Sequence, residues 1–375
     1  MLVYEYKLDG NISQYARIDE GIRIAQFVRN KCLRLWMDVK GTSSNDLQVY
    51  CSQLAKEFAF ASHLNSQARQ SSADRAWFAI KRFYDNCKSH NPGKKGYPRF
   101  QKNNRSIEYK VTGWKLEPDG RHITFTDGLG IGRLRLVGTR DIESFPLSQI
   151  KRVRLIRRAD GYYVQFCVEA ERTVQHISSG KSIGIDVGLH AYFTDSDGCT
   201  VPNPRFLRKM EARVKILQRR VSRKKKDSSN RKKARQQLAK AHLKIQRQRE
   251  DFARKAANAL VTSHDLIAHE DLHVRNMVKN HHLAKSISDA SWSRFLVWVA
   301  YYAMLHQIPV VAVPPAYTSQ DCSGCGEVVK KSLSVRTHVC PHCGLIIDRD
   351  ENAAINILQK ALLYRGALGN SLASG

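Results

Sequence analysis

Relative to its size this chain is short of acid: 375 residues carry 34 Asp and Glu against 62 Lys and Arg, a formal net charge of +28. Such an excess opposes compaction unless a polyanion neutralises it, and nucleic acid is the default polyanion. A membrane surface ranks behind it, because neither a basic amphipathic terminal helix nor a lipidation motif is present. Long apolar runs are also missing. None approaches the ~20 residues that span a bilayer, and MLVYEYKLDG reads as a strand, not a signal peptide. A disulfide framework is absent as well: of nine cysteines, four form one cluster, while Cys32, Cys51, Cys87, Cys167 and Cys199 are scattered. That is reduced, cytosolic usage, with the scattered five expected as small buried hydrophobes. The length allows roughly two to four domains, and 42% hydrophobic content suits a globular protein.

What is present changes period along the chain. Leu2, Tyr4, Tyr6 and Leu8 alternate with polar residues, as in a half-buried strand. From about Ile18 to Cys87 apolar residues recur at three and four, with a turn and N-cap cluster at Ser43–Asp46, so a helical insert is expected there. The basic stretch Lys88–Lys102 is punctuated by Pro and Gly. It reads equally as a linker or as a loop whose Tyr97 and Phe100 stack on bases while Lys95 and Arg99 meet phosphates. Alternation returns between Ser106 and Glu171 and predicts a small antiparallel barrel that the helical insert interrupts. Ile183–Val187 is a buried-type strand with an acid inside it, and Ala191–Thr194 is its hairpin mate. Leu207, Met210, Val214, Leu217 and Val221 then mark a helix–helix seam, broken by SRKKKDSSN at Ser222–Asn230. A second helix continues through Leu238, Leu243, Phe252, Ala256 and Leu260, which makes a hairpin with a cationic outer face. Its Arg219, Arg220, Arg223, Lys224 and Lys225 are candidates for nucleic-acid contact; a solvated charged face is the plainer account. Leu266–Leu272 is a strand ending in acids, followed by an amphipathic helix (Trp292–His306), a buried strand (Val310–Val313) and a last helix whose tail frays after Arg365.

Two constellations carry chemistry. Cys322-x-x-Cys325 and Cys340-x-x-Cys343 lie fourteen residues apart, and four thiolates complete a tetrahedral Zn²⁺ with no place for water, so the site is structural. The ribbon is too short for a core of its own, and zinc could supply about 10–16 kcal/mol of apparent binding energy to its folding. The other constellation is acidic. Asp186 sits in an apolar strand, Glu270 ends a later one, and Asp350 begins the last helix, where capping accounts for it as well as catalysis does. One acid on a first strand, one on a later strand and one at a C-terminal helix start is the layout of an RNase H-like nuclease. Three carboxylates within ~5 Å repel by about 3 kcal/mol per pair at an effective dielectric near 20. Two Mg²⁺ ions would relieve that repulsion, one activating water and one stabilising the leaving 3′-oxygen. Spacing does not choose between Asp350 and Asp348, or between Glu270 and Asp271.

The ordered motifs resemble the TnpB family of transposon-encoded, RNA-guided DNA endonucleases with a RuvC domain, kin of the type V CRISPR effectors. The match is carried by Gly184-Ile-Asp-Val-Gly188, Ser222–Lys226, Glu270-Asp-Leu272, Ser286-Ile-Ser-Asp-Ala290 with Trp292, both knuckles, and Asp348-Arg-Asp-Glu-Asn-Ala-Ala354; Gly96-Tyr-Pro-Arg-Phe100 adds to it. The resemblance implies Asp350, the acid before x-Asn-Ala-Ala, as the third catalytic residue beside Asp186 and Glu270. It implies a wedge barrel (residues 1–17 and 88–178), a helical recognition domain (18–87), a RuvC domain (179–317 and 346–365, with the hairpin at 203–263), a zinc ribbon (318–345) and a flexible tail (366–375). It also implies a guide RNA and a double-stranded DNA target as partners, with no membrane. One protein per RNA is expected, a dimer being left open, in the cytoplasm on the nucleoid. A short flanking motif would be read by the insert and barrel. Ser44, Asn45, Ser66 and Gln70 are candidates for that reading, equally well ordinary solvated helix residues. A compact CRISPR effector, a strand-joining transposase and a non-cleaving transposon regulator are the alternatives. The last predicts a degraded triad, which this sequence does not have.

Overall fold

The structure is a computed structural model; it describes every residue except 90–92, 94, 333 and 373–375, with side chains of the last helix as far as Tyr364. It divides into two compact units, Met1–Glu171 and Arg172–Gly375.

The first unit contains β1 (Leu2–Asp9), α1 (Ile12–Asp38), α2 (Ser44–Glu57), α3 (Ala59–Ser62), α4 (Ser66–Lys88), β2 (Ser106–Tyr109), β3 (Trp114–Leu116), β4 (His122–Phe125), β5 (Gly132–Val137), β6 (Ile150–Arg158) and β7 (Gly161–Val168). Helix α1 starts earlier than the periodicity at Ile18 suggests. Asn11 and Gln14 form a capping box there, each side chain bonded to the other's backbone N–H. Ser43 and Asp46 cap α2 in the same way. The seven strands make one antiparallel sheet in the order β2-β6-β7-β1-β5-β4-β3, so β1 is central although four helices separate it from β2. Laid flat, the edge strands β2 and β3 would stand about 29 Å apart. Residues 110–113 alone connect them, and that link reaches at most about 18 Å. The sheet therefore curls, which places Tyr109 of β2 against Phe125 of β4 and Trp114 of β3 against Phe166 of β7. Where a closed barrel is expected, no ladder joins the two edges among the described residues.

The second unit contains β8 (Ser182–Val187), β9 (Ala191–Asp195), β10 (Thr200–Pro202), α5 (Phe206–Ser222), α6 (Ser229–Ser263), β11 (Leu266–Glu270), α7 (Val274–Met277), α8 (Ala284–Ala290), α9 (Trp292–His306), β12 (Val310–Val313), β13 (Thr337–Val339), β14 (Ile346–Asp348) and α10 (Arg349–Leu372). Its main sheet runs β10-β9-β8-β11-β12, with β8, β11 and β12 parallel and β9 antiparallel between β8 and β10. Odd-numbered Ile183, Ile185 and Ile267 pack under α6 and α9, while Leu266, Ala268 and Val313 pack under α10. Two layers of helix thus enclose one sheet. The hairpin seam forms from Val214 and Leu217 against Ala241 and Ile245, with Leu207, Met210 and Leu238 beside them. Leu243, expected in that seam, is only half-buried.

Three expectations need correction. Cys32, Cys51 and Cys167 are buried, but Cys87 and Cys199 are exposed, at the end of α4 and in the β9–β10 turn. The last helix continues past Arg365 to Leu372, since neither Gly366 nor Gly369 removes a backbone donor; residues 373–375 of the expected tail lie outside the described residues. Among the described residues no helix is long and apolar enough to cross a membrane.

Candidate active site and zinc site

Strand parity decides where the acids point. Side chains alternate across a sheet, and Leu266 and Ala268 face α10, so Glu270 lies on that same face. Gly184 faces α10 as well, because a Cβ there would fall 2.2 Å from the Ala354 carbonyl oxygen. Asp186 follows two residues on. The β8–β11 register pairs Gly184 with Ala268 and Ile185 with His269, so the next step sets Asp186 beside Glu270 at the carboxyl ends of parallel strands. Asp350, at the start of α10, arrives from above. The side chains of Ala353 and Ala354 are small enough to let that helix approach Gly184.

The electrostatics agree with this convergence. Burial pushes the Asp186 carboxyl well above the usual carboxylate range, and Glu270 and then Asp350 add to it; Arg349 and Arg336 oppose. Burial also raises Glu270, against the hydrogen bond from the Thr318 hydroxyl to Oε1 and the charge of Lys360. Asp350 is buried and held by two guanidinium groups. Arg336 Nη1 lies 2.9 Å from Oδ2, and Arg349 Nη2 lies 2.8 Å from Oδ1. The carboxylates do not form a tight oxygen cluster; among the described residues only the four cysteines bring three or more potential metal-ligand side chains within 4.8 Å of one another.

The structure separates the neighbouring acids that spacing left open. Asp348 is exposed, and its Oδ1 accepts the N–H of Asp350 at 2.8 Å and of Glu351 at 3.3 Å. Asp348 is therefore the helix cap, and Asp350 is free of that duty. Asp271 is exposed, with its backbone N–H bonded to Val313.

In the ribbon, Cys322 and Cys343 sulfurs are 3.6 Å apart, as are those of Cys325 and Cys340. Tetrahedral Zn–S bonds of about 2.3 Å imply sulfur separations near 3.8 Å, so the four fit zinc. Each knuckle closes on a glycine in the left-handed region, Gly326 (φ +81°) and Gly344 (φ +75°), whose N–H bonds to Cys322 and Cys340 carbonyls. Backbone N–H groups of Cys343 and then His342 draw the Cys340 thiol down against its burial. The ribbon is bolted to the site by side chains for which the sequence assigned no role. Asn352 accepts the Ser323 N–H (3.0 Å) and donates to the Asp321 carbonyl (2.8 Å), and Asn356 donates to the Thr318 and Asp321 carbonyls. Thr318, Arg336 and Asn356 went unnoticed because a lone polar residue carries no period; Asn352 was a motif letter without an assigned role.

Other motif residues hold the scaffold. Asp289 accepts the N–H groups of Leu207 and Arg208 and a bidentate pair from Arg249, capping α5 from α8 and tying it to α6. Arg219, Arg220, Arg223, Lys224 and Lys225 are all exposed at the hairpin tip. In the first unit, Ser44 and Asn45 start α2 and Ser66 starts α4; the Gln70 carbonyl accepts from Gln48. Tyr97 leans on Trp36 and Phe83, Arg99 and Phe100 are exposed, and Lys95 donates to Ser89.

Residues 165–281 match the OrfB_IS605 family, described as "Probable transposase", and residues 292–357 match the Cas12f1-like TNB domain. The chain is 30% identical over 279 residues to the "Putative RNA-guided DNA endonuclease InsQ" of Escherichia coli K12, covering 70% of this chain and 68% of that protein. The chain belongs to the TnpB family. A Streptomyces pristinaespiralis protein, "Putative RNA-guided DNA endonuclease", is 38% identical over 207 residues; the match spans 55% of this chain and about half (51%) of that relative. Among solved structures, "Cryo-EM structure of the Cas12f1-sgRNA-target DNA complex" aligns at TM-score 0.56 and 15% identity over 92% of this chain and 82% of that one. "Structure of the mini-RNA-guided endonuclease CRISPR-Cas_phi3" aligns at 0.56 and 11% identity, over 96% and 92%. At such identities the likeness speaks for the fold alone.

Proposed function

We propose that this TnpB-family chain is a transposon-encoded, RNA-guided DNA endonuclease that hydrolyses both strands of a guide-matched target through one RuvC-type site. The observation that carries the reading is the meeting of Asp186, Glu270 and Asp350 at the carboxyl ends of β8 and β11 under the first turn of α10. The half-buried Asp186 carboxyl has neither hydrogen bond nor ion pair among the described residues, and beside Glu270 and Asp350 its ionised form is favoured by a bound cation. The donor set is hard oxygen, which suits Mg²⁺. Asp186, Glu270 and Asp350 would hold two such ions, which when bound supply an activated water and stabilise the leaving oxygen. The chain's own residues do the positioning. Thr318 donates to Oε1 of Glu270, while Asp348 fixes the first turn of α10, which carries Asp350. Arg336 and Arg349 balance the Asp350 charge.

On this reading the curled sheet (expected within 1–17 and 88–178) is the wedge, α1–α4 (Ile12–Lys88, wider than the expected 18–87) the recognition domain, and the ribbon (318–345) the structural zinc module. The net charge of +28 would offset much of a ~20 bp heteroduplex carrying on the order of 40 phosphates, so the protein should purify with RNA bound. The test is reconstitution with RNA transcribed from the 3′ end of its own gene, followed by cleavage of matched and mismatched DNA. Asp186→Ala should keep guide and target binding and lose cutting. Loss of binding together with cutting would make Asp186 structural and overturn the assignment.

A further inference from the structure

The two flanks of the α5–α6 hairpin are unlike. On one, the single acid Glu211 gathers Arg208 (3.3 Å), Lys215 (3.0 Å) and Lys285, so the cations there are ion-paired and partly balanced against α8. The other flank holds an open groove of about 820 Å³ with no acid in its lining. Its floor is apolar, made by Met210, Ile216, Leu217 and Ala241. Ile216 is 50% exposed, an apolar side chain left in water among cations, and the short Ala241 makes the depth. Its rim is Arg213, Arg220, Lys240 and Lys244, none of which has an ion pair or hydrogen bond to another described residue.

We infer that this groove binds an unpaired nucleotide segment, its phosphates on the four rim cations and one base laid on the floor. Charge complementarity selects a polyanion. The floor then selects among polyanions, because a duplex keeps its bases stacked inside and would meet only the rim, whereas a single strand offers a flat apolar face to Ile216 and Leu217. The inference rests on the guided-nuclease reading for the source of the strand.

Binding by the full-length chain is measured by fluorescence anisotropy with labelled oligo(U), oligo(dT), an abasic deoxyribose-phosphate strand and a duplex of equal length, at several salt concentrations. Polyglutamate serves as a base-free polyanion competitor. Ile216→Ser, a change at a half-exposed position, should weaken oligo(U) and oligo(dT) binding by about threefold to tenfold, leaving the abasic strand, the duplex and the salt slope unchanged. Ala241→Leu, which fills the floor, should do the same, with thermal melting confirming a folded protein. Lys240→Ala with Lys244→Ala should weaken every probe and flatten the single-strand salt slope by about 1.4. A difference between oligo(U) and oligo(dT) assigns the strand to RNA or DNA. If Ile216→Ser and Ala241→Leu bind base-bearing strands like the parent, or if polyglutamate competes as well as oligo(U), the groove is a plain cationic face and the inference falls. That failure is distinct from failure of the nuclease reading, which would appear as absent guided cleavage with base-dependent binding intact.

Discussion

The zinc ribbon and the carboxylate site are both places where like charges converge, yet they are built in opposite ways. The ribbon takes its ligands from one short segment, and its sulfurs already sit within 4.8 Å of one another. The carboxylates come from three distant segments, and in this structure two arginines, not a close oxygen cluster, balance Asp350. A local site is set by spacing and turn chemistry; a distributed one waits for strand register and helix docking. The two are joined as well as contrasted, since Arg336 and Asn352 link the ribbon to the first turn of α10 beside the carboxylates.

The largest expected effect comes from breaking that link. Chelation of zinc, or Cys340→Ser, should unfold the ribbon, because binding energy of about 10 kcal/mol or more is its only core. Guided cleavage should fall by a factor of about 100 or more, and intrinsic fluorescence and limited proteolysis should show the ribbon opening. Undiminished cleavage by zinc-free protein would mean that the two sites are independent. Next is Gly184→Ala. Its Cβ would meet the Ala354 carbonyl oxygen at 2.2 Å and Leu358 Cβ at 2.9 Å, so α10 must shift. A loss of about 1–3 kcal/mol in denaturant unfolding is expected, with a larger loss of cutting than of guide binding.

A smaller effect tests the arginine balance. Arg336→Gln removes a partly exposed ion pair from Asp350 and should tighten Mn²⁺ binding by about twofold to fivefold in calorimetry, while lowering the metal-free melting temperature. Weaker Mn²⁺ binding would show that Arg336 supports the site instead of competing for it. The smallest is a pH effect. Because the folded Asp186 value lies above its unfolded one, the metal-free fold binds more protons than the unfolded chain, and stability falls as pH rises from the ordinary carboxylate range through the raised value. Asp186→Asn removes that penalty. Without metal it should melt about 2–5 °C above the parent at pH 8, and the gap should close as pH falls towards 4. A gap that widens in acid would reverse the assigned sign.

Much of the fold was legible because period survives in sequence. Alternation gave β1, β5 and β7, and three-four spacing gave α5 and its seam at Val214 and Leu217. The α6 side of that seam was misread at Leu243, because Ala241 and Ile245 are the residues that turn inward. Strands β2 and β3 are only four and three residues long, too short to show a period. Gly184, Ala353 and Ala354 looked like motif letters; packing shows that they are the contact between β8 and α10.

The sequence by itself determined the ribbon's ligand set, the excess of positive charge and the acids that could be catalytic, because each is a matter of residue type and local spacing. Tertiary structure alone decided that Asp348 caps the helix while Asp350 faces Asp186 and Glu270. It also decided that Arg336 and Arg349 lie against Asp350, and that the cations of one hairpin flank share an acid while the lining of the other has none. Those facts depend on which face of a strand meets which turn of a helix, and a one-residue slip in register would have reversed them.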